Sequence, residues 1–183
     1  MTRLAQLSRP SSFFFDQLGR IRAAAELGVV ADLACGRGRH TLAAAEAGIS
    51  AVGVDRNRQF LAELCDIAAR RALALRAICA DLEQPPEIPI RSRHCGVVLV
   101  FRYLHRPLIP AIVRALRPGG LLVYETFTTK QLALETGPRN PDYLLAPGEL
   151  PELFSELEIL DHWEGLSSDP EPAQVARILA RAS

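Results

Sequence analysis

The chain has 183 residues, 21 of them basic and 21 acidic, so its formal net charge is zero and no global field draws it toward nucleic acid or an anionic membrane. Hydrophobic residues make up 49% and charged residues 23%, a globular balance that excludes a fibrous or wholly disordered chain. The length suits one domain over residues 1–183, able to bury ~70% of the surface its unfolded form exposes.

Ser11 and Ser12 offer caps for a helix over 13–27, which Gly28 stops. From Val29 the pattern alternates: strand at 29–33, helix at 41–46, strand at 51–54, helix at 59–71, strand at 75–79. Such alternation predicts right-handed crossovers and a parallel sheet. After a proline-rich connection, Gly96 to Phe101 has no polar face and reads as a buried central strand. Pro107 and Pro110 open a helix toward Leu116, Pro118-Gly119-Gly120 turns the chain, and Leu121 to Glu125 is the fifth strand. Residues 126–150, broken by Gly137-Pro138, Asn140-Pro141 and Pro147-Gly148, read as an ordered loop or lid. A short helix at 151–154 follows. The runs 157–163 and 174–180, joined by Ser167-Ser168-Asp169-Pro170, then form an antiparallel hairpin.

The four cysteines, Cys35, Cys65, Cys79 and Cys95, lack CxxC spacing and read as buried free thiols of a reducing compartment. No apolar run reaches the roughly 18 residues of a membrane span, so the expected location is the cytoplasm. The four histidines lack metal-ligand spacing, and no metal is expected.

The chemistry concentrates between the first two strands. Asp32-Leu33-Ala34-Cys35-Gly36-Arg37-Gly38 joins a strand to a helix through glycines that let backbone approach a ligand, and Asp55, 17 residues after Gly38, is placed for a ribose diol. A dinucleotide site wants its pyrophosphate on a helix N-terminus after GxGxxG. Gly36-x-Gly38-x-x-Thr41 fits that only in part, and the Asp32 carboxylate has the wrong charge for pyrophosphate. It has the right charge for the ammonium of S-adenosylmethionine.

At Asp32, Ala34, Gly36 and Gly38 the chain resembles the class I S-adenosylmethionine-dependent methyltransferases, whose first motif is an acid followed by small residues and glycines; it is most similar to their small, stand-alone tellurite-resistance-type members. The resemblance implies a Rossmann-like α/β fold: a seven-stranded, mostly parallel sheet with a C-terminal antiparallel hairpin and helices on both faces. It implies S-adenosylmethionine as cofactor, with Asp55 on the ribose, Arg56 packed on adenine, and Asp81 with Leu82 at the adenine amino group. The cofactor-binding set is then Asp32, Ala34, Gly36, Gly38, Asp55, Arg56, Asp81, Leu82 and Phe101. Asp55 and Asp81 are equally suited to capping helices.

Arg102, Tyr103 and His105 follow the fourth strand, where an open parallel sheet presents ligands, and are the candidates for binding an acceptor or removing a proton; a helix start explains them as well. Arg106, beside Pro107, reads as solvent-facing. The residues after the fourth strand lack the Asn-Pro-Pro-Tyr signature of amino-directed nucleic-acid methyltransferases. The expected activity is methyl transfer to a small molecule. The alternatives are an RNA methyltransferase working with a partner, an NAD-dependent oxidoreductase, or a cofactor-binding module without catalysis.

Overall fold

A computed structural model describes residues 9–168 and 171–183. Seven strands form one sheet in the order β3-β2-β1-β4-β5-β7-β6. They are β1 (Val29–Leu33), β2 (Ala51–Asp55), β3 (Leu75–Cys79), β4 (Cys95–Phe101), β5 (Leu116–Phe127), β6 (Glu158–Ser167) and β7 (Ala173–Arg181). The first five are parallel, and β7 runs antiparallel between β5 and β6.

Every residue of β4 is buried, as the unbroken apolar run predicts for the middle of a doubly covered sheet. Its side chains alternate between two cores. Val97, Leu99 and Phe101 pack with Phe13, Phe14, Ile21, Ala43 and Ala44 on one face, while Val98 and Val100 pack with Leu108, Ile112, Leu150 and Phe154 on the other. The helices are α1 (Ser12–Asp16), α2 (Leu18–Ala25), α3 (Arg39–Glu46), α4 (Arg58–Arg71), α5 (Ile109–Ala115) and α6 (Glu149–Leu153).

Three expectations need correction. The helix over 13–27 is two helices, broken at Gln17 (φ −97°, ψ 0°), whose N–H turns back to Phe13 and Phe15 carbonyls. β5 begins before the Pro-Gly-Gly turn, because Leu116 already pairs with Cys95 and the ladder resumes at Leu121 and Val97 after a register shift. Residues 126–150 are more regular than their prolines suggest: β5 runs on to Phe127, and 3-10 turns cover Thr129–Ala133 and Pro141–Tyr143. Asp169 and Pro170 of the hairpin turn lie outside the described residues. No described helix is long and apolar enough to cross a membrane.

Candidate active site

The glycine turn is shaped by three left-handed residues, Ala34 (φ 52°), Gly36 (φ 57°) and Gly38 (φ 75°). A Cβ on Gly38 would sit 2.6 Å from Leu64, whereas one on Gly36 would meet nothing within 4 Å. Gly38 is thus required by packing, while Gly36 leaves open space beside its backbone.

Gly38 is also the N-cap of α3, and its missing side chain leaves the helix's first amides without a local partner. Asp32 supplies one from the strand: Oδ2 accepts the Thr41 N–H at 3.0 Å and the Thr41 hydroxyl at 2.6 Å. Only 2% of Asp32 is exposed, and burial raises its pKa to about 6 against the opposing bonds from Thr41.

Asp55 ends β2 and takes two backbone donors, Gly36 N–H on Oδ2 and Asn57 N–H on Oδ1, each at 2.8 Å. The first bond ties the glycine turn to the neighbouring strand. Asn57 in turn caps α4 through Gln59 and Phe60 N–H groups.

A cleft of about 420 Å³ opens along the carboxyl ends of the parallel strands, where open α/β sheets bind ligands. Its wall is formed by Ala34, Asp55, Arg56, Asp81, Leu82 and Glu83 from the segments after β1, β2 and β3, and by Arg102, Tyr103, Leu104, Phe127, Pro138 and Tyr143 from β4 onward. Of the residues singled out in the sequence, Ala34, Asp55, Arg56, Asp81, Leu82, Arg102 and Tyr103 therefore share one cavity.

Asp32, Gly36 and Gly38 shape the turn beneath the cleft and are not on its wall. Phe101 is 6% exposed and stacks on His40, with ring centroids 3.7 Å apart. His105 is also off the wall; its carbonyl accepts Leu108 N–H, the helix-start role. Tyr103 is held in place where its carbonyl accepts the Tyr124 hydroxyl at 2.9 Å. Burial first, then the charges of Glu83 and Asp81, hold its phenol protonated well above the usual tyrosine range.

Two clusters join residues far apart in sequence. Arg106, expected in solvent, is part-exposed but held: it bonds Glu149 through Nε (2.5 Å) and Nη2 (2.9 Å), and donates to the Asp142 and Leu144 carbonyls. Glu149 Oε2 also accepts Ala146 N–H at 2.7 Å, and its bond to Arg106 holds its pKa below the usual range. Glu125, at 0% exposure, lies between Arg102 Nε (3.2 Å) and Arg177 Nε (2.7 Å), and also accepts the Ser11 hydroxyl at 2.7 Å. A strand-terminal acid reads in the sequence either as a wall of the acceptor pocket or as the partner of a nearby arginine, and the structure has the second.

An α/β sheet with this strand order, an acid and glycine turn after β1, a second acid ending β2 and one cleft across their carboxyl ends defines a nucleotide-cofactor fold of the methyltransferase type. Residues 30–120 match a family described as methyltransferase domain, and the chain belongs to the class I S-adenosylmethionine-dependent methyltransferases, whose cofactor is S-adenosylmethionine. No curated protein matches the sequence.

Among solved structures, TehB from Haemophilus influenzae is similar at 19% identity and TM-score 0.71, covering 90% of this chain, which spans 62% of the TehB chain. A SAM-dependent methyltransferase from Methanosarcina mazei shares 16% identity at TM-score 0.70, covering 89% of this chain and 96% of its own. Another from Mesorhizobium loti shares 20% at TM-score 0.66, covering 90% and 97%. At these identities the likeness is one of fold.

The cleft fits the cofactor. Asp55 stands on its wall at the end of β2, and Ala34 and Leu82 give it apolar wall.

Proposed function

We propose that the protein transfers a methyl group from S-adenosylmethionine to a small-molecule acceptor, with the cofactor over the ends of β1, β2 and β3 and the acceptor beneath residues 126–150. The observation that carries this reading is one cleft whose wall brings Asp55 and Asp81, after β2 and β3, together with Arg102, Tyr103, Phe127 and Tyr143. The cofactor, when bound, supplies a methyl group already activated on a sulfonium and leaves as a neutral thioether.

The chain's own residues then act chiefly by position. Asp55 is assigned to the ribose hydroxyls, with its carboxylate held by Gly36 and Asn57. Asp32 is assigned to the amino-acid ammonium, with Oδ2 held by Thr41. Arg56 packs on adenine, and Asp81 with Leu82 borders its edge. Gly36 and Gly38 place these groups through the backbone, and Phe101 acts from behind through His40.

Arg102 and Tyr103 orient the acceptor. Tyr103 keeps its proton and so donates a hydrogen bond instead of acting as base, and His105 shapes the exit from β4. Residues 126–150 form a lid that excludes water, and alignment of acceptor and methyl is worth up to ~7–11 kcal/mol in favourable systems. The free thiols suit a reducing compartment, and we place the protein in the cytoplasm.

Incubation with methyl-labelled S-adenosylmethionine and a cell extract split into small-molecule, RNA and protein fractions tests the reading. Label should enter the small-molecule fraction. Label confined to RNA or protein would contradict it.

A further inference from the structure

Behind the cleft the arginines differ in how far their hydrogen-bonding groups are satisfied. Glu125 is one fully buried carboxylate shared by two guanidiniums, those of Arg102 and Arg177. Arg177 is held by two hydrogen bonds: Nε donates to Glu125 Oε2 at 2.7 Å and Nη2 to Ser167 Oγ at 2.8 Å, and the group lies over the Trp163 and Phe13 rings at 5.1 and 5.5 Å. Arg102 is not. Its Nε faces Glu125 Oε1 and its plane lies 4.6 Å from the Phe127 centroid, while neither Nη has a hydrogen-bond partner among the described residues.

Arg102 lines both the main cleft and a second hollow of about 230 Å³, which Arg39 borders from the start of α3. Arg39 bonds only Arg9 O, at 3.2 Å, among the described residues. The other charges facing this region are Asp32, which caps α3, and Glu171, which stands exposed on the rim of the hollow. The Arg102 backbone is left-handed (φ 61°), a conformation that costs a residue with a side chain and persists where the surroundings impose it. The Glu125 carbonyl, accepting Arg102 N–H at 2.8 Å, and the Phe127 ring are those surroundings. A strained, half-satisfied guanidinium fixed against an aromatic ring is a preorganised anion receptor.

Resting on the methyl-transfer reading, we propose that the acceptor is an organic anion whose carboxylate or phosphate docks on the free edge of Arg102, with Arg39 adding charge, and whose apolar body lies against Phe127 and Tyr143. The docked group supplies acceptors for the Arg102 Nη groups, which have no hydrogen-bond partner among the described residues. It fixes the acceptor beside Arg102 and Phe127 in the cleft.

Protein saturated with S-adenosylhomocysteine, titrated with benzoate, phenyl phosphate and benzamide and followed by NMR, tests this. At least one anion should bind five-fold or more tighter than benzamide, and the tighter of the two identifies the headgroup. That preference should shrink at least five-fold in Arg102→Gln, with S-adenosylhomocysteine affinity within about twofold of wild type. If loss of the Glu125 partner unfolds that variant, Arg39→Gln and a rise in salt should each weaken the anion and spare benzamide. Benzamide binding as tightly as both anions, or anion binding indifferent to the substitutions and to salt, overturns the anion subsite and leaves the cofactor site standing. Failure of S-adenosylhomocysteine to bind overturns the reading beneath it as well.

Discussion

Asp32 carries two tasks with opposite demands. Capping α3 draws its charge toward the helix N-terminus, while full burial resists that charge and lifts the pKa from 3.8 to about 6. Because the folded pKa is raised, the unfolded chain gives up its proton first. Stability from this residue is therefore present below about pH 4 and falls as pH rises through about 6, by roughly 3 kcal/mol at 1.36 kcal/mol per pKa unit. Urea unfolding of the ligand-free protein should show this loss, and Asp32→Asn should flatten it. Binding should run the other way. An ammonium group favours ionised Asp32, so calorimetry should find S-adenosylmethionine about tenfold weaker at pH 5 than at pH 7; equal affinity at both would detach Asp32 from the ligand. The motif's residue types and spacing were legible in the sequence, but their division of labour was not. Nothing local distinguishes Asp55 on the cleft wall from Asp32 beneath it, because that depends on which strand end the α3 amides meet.

The 126–150 segment shows how distant residues order a stretch that its own sequence leaves ambiguous. Its neck is closed where Leu145 N–H donates to Phe127 O and Thr129 N–H to Leu145 O, both at 2.9 Å. Arg106 then clasps the return limb from 36 to 43 residues away in sequence. Replacing Arg106 with Ala removes both the Glu149 pair and two carbonyl contacts. Limited proteolysis should then cut within 126–150 several-fold faster than in wild type, with the strands intact; an unchanged rate would mean the neck alone holds the lid. The strands were easier to read. β1 falls where an apolar run meets its breakers, since a parallel strand covered on both faces has few other places to be. The early start of β5 was hidden because it is set by tertiary packing, the pairing of Leu116 with Cys95.

At the scale of the molecule, the sheet order places the functional edge. Parallel strands on either side of β1 and β4 all point their carboxyl ends at the cleft, and the inserted β7 extends the sheet without adding a parallel strand end there. The core beneath is continuous through β4, so Leu99→Ala, at a fully buried position, should cost about 2–5 kcal/mol. Chemical denaturation measures that loss, and a change under 1 kcal/mol would mean the two layers repack freely. The alternation of strands and helices gave the parallel units, while the antiparallel hairpin at the end of the sheet was implied by the family resemblance and is found as β7 and β6. The account depends most on Asp55 meeting the cofactor. Calorimetric titration of wild type and Asp55→Ala with S-adenosylmethionine, and of wild type with NAD, tests that directly. The account predicts one site for S-adenosylmethionine, affinity lowered by about 1.5–3 kcal/mol in the variant through loss of charge-assisted hydrogen bonds, and no heat from NAD. Unchanged affinity in Asp55→Ala, or NAD bound in place of S-adenosylmethionine, would contradict it.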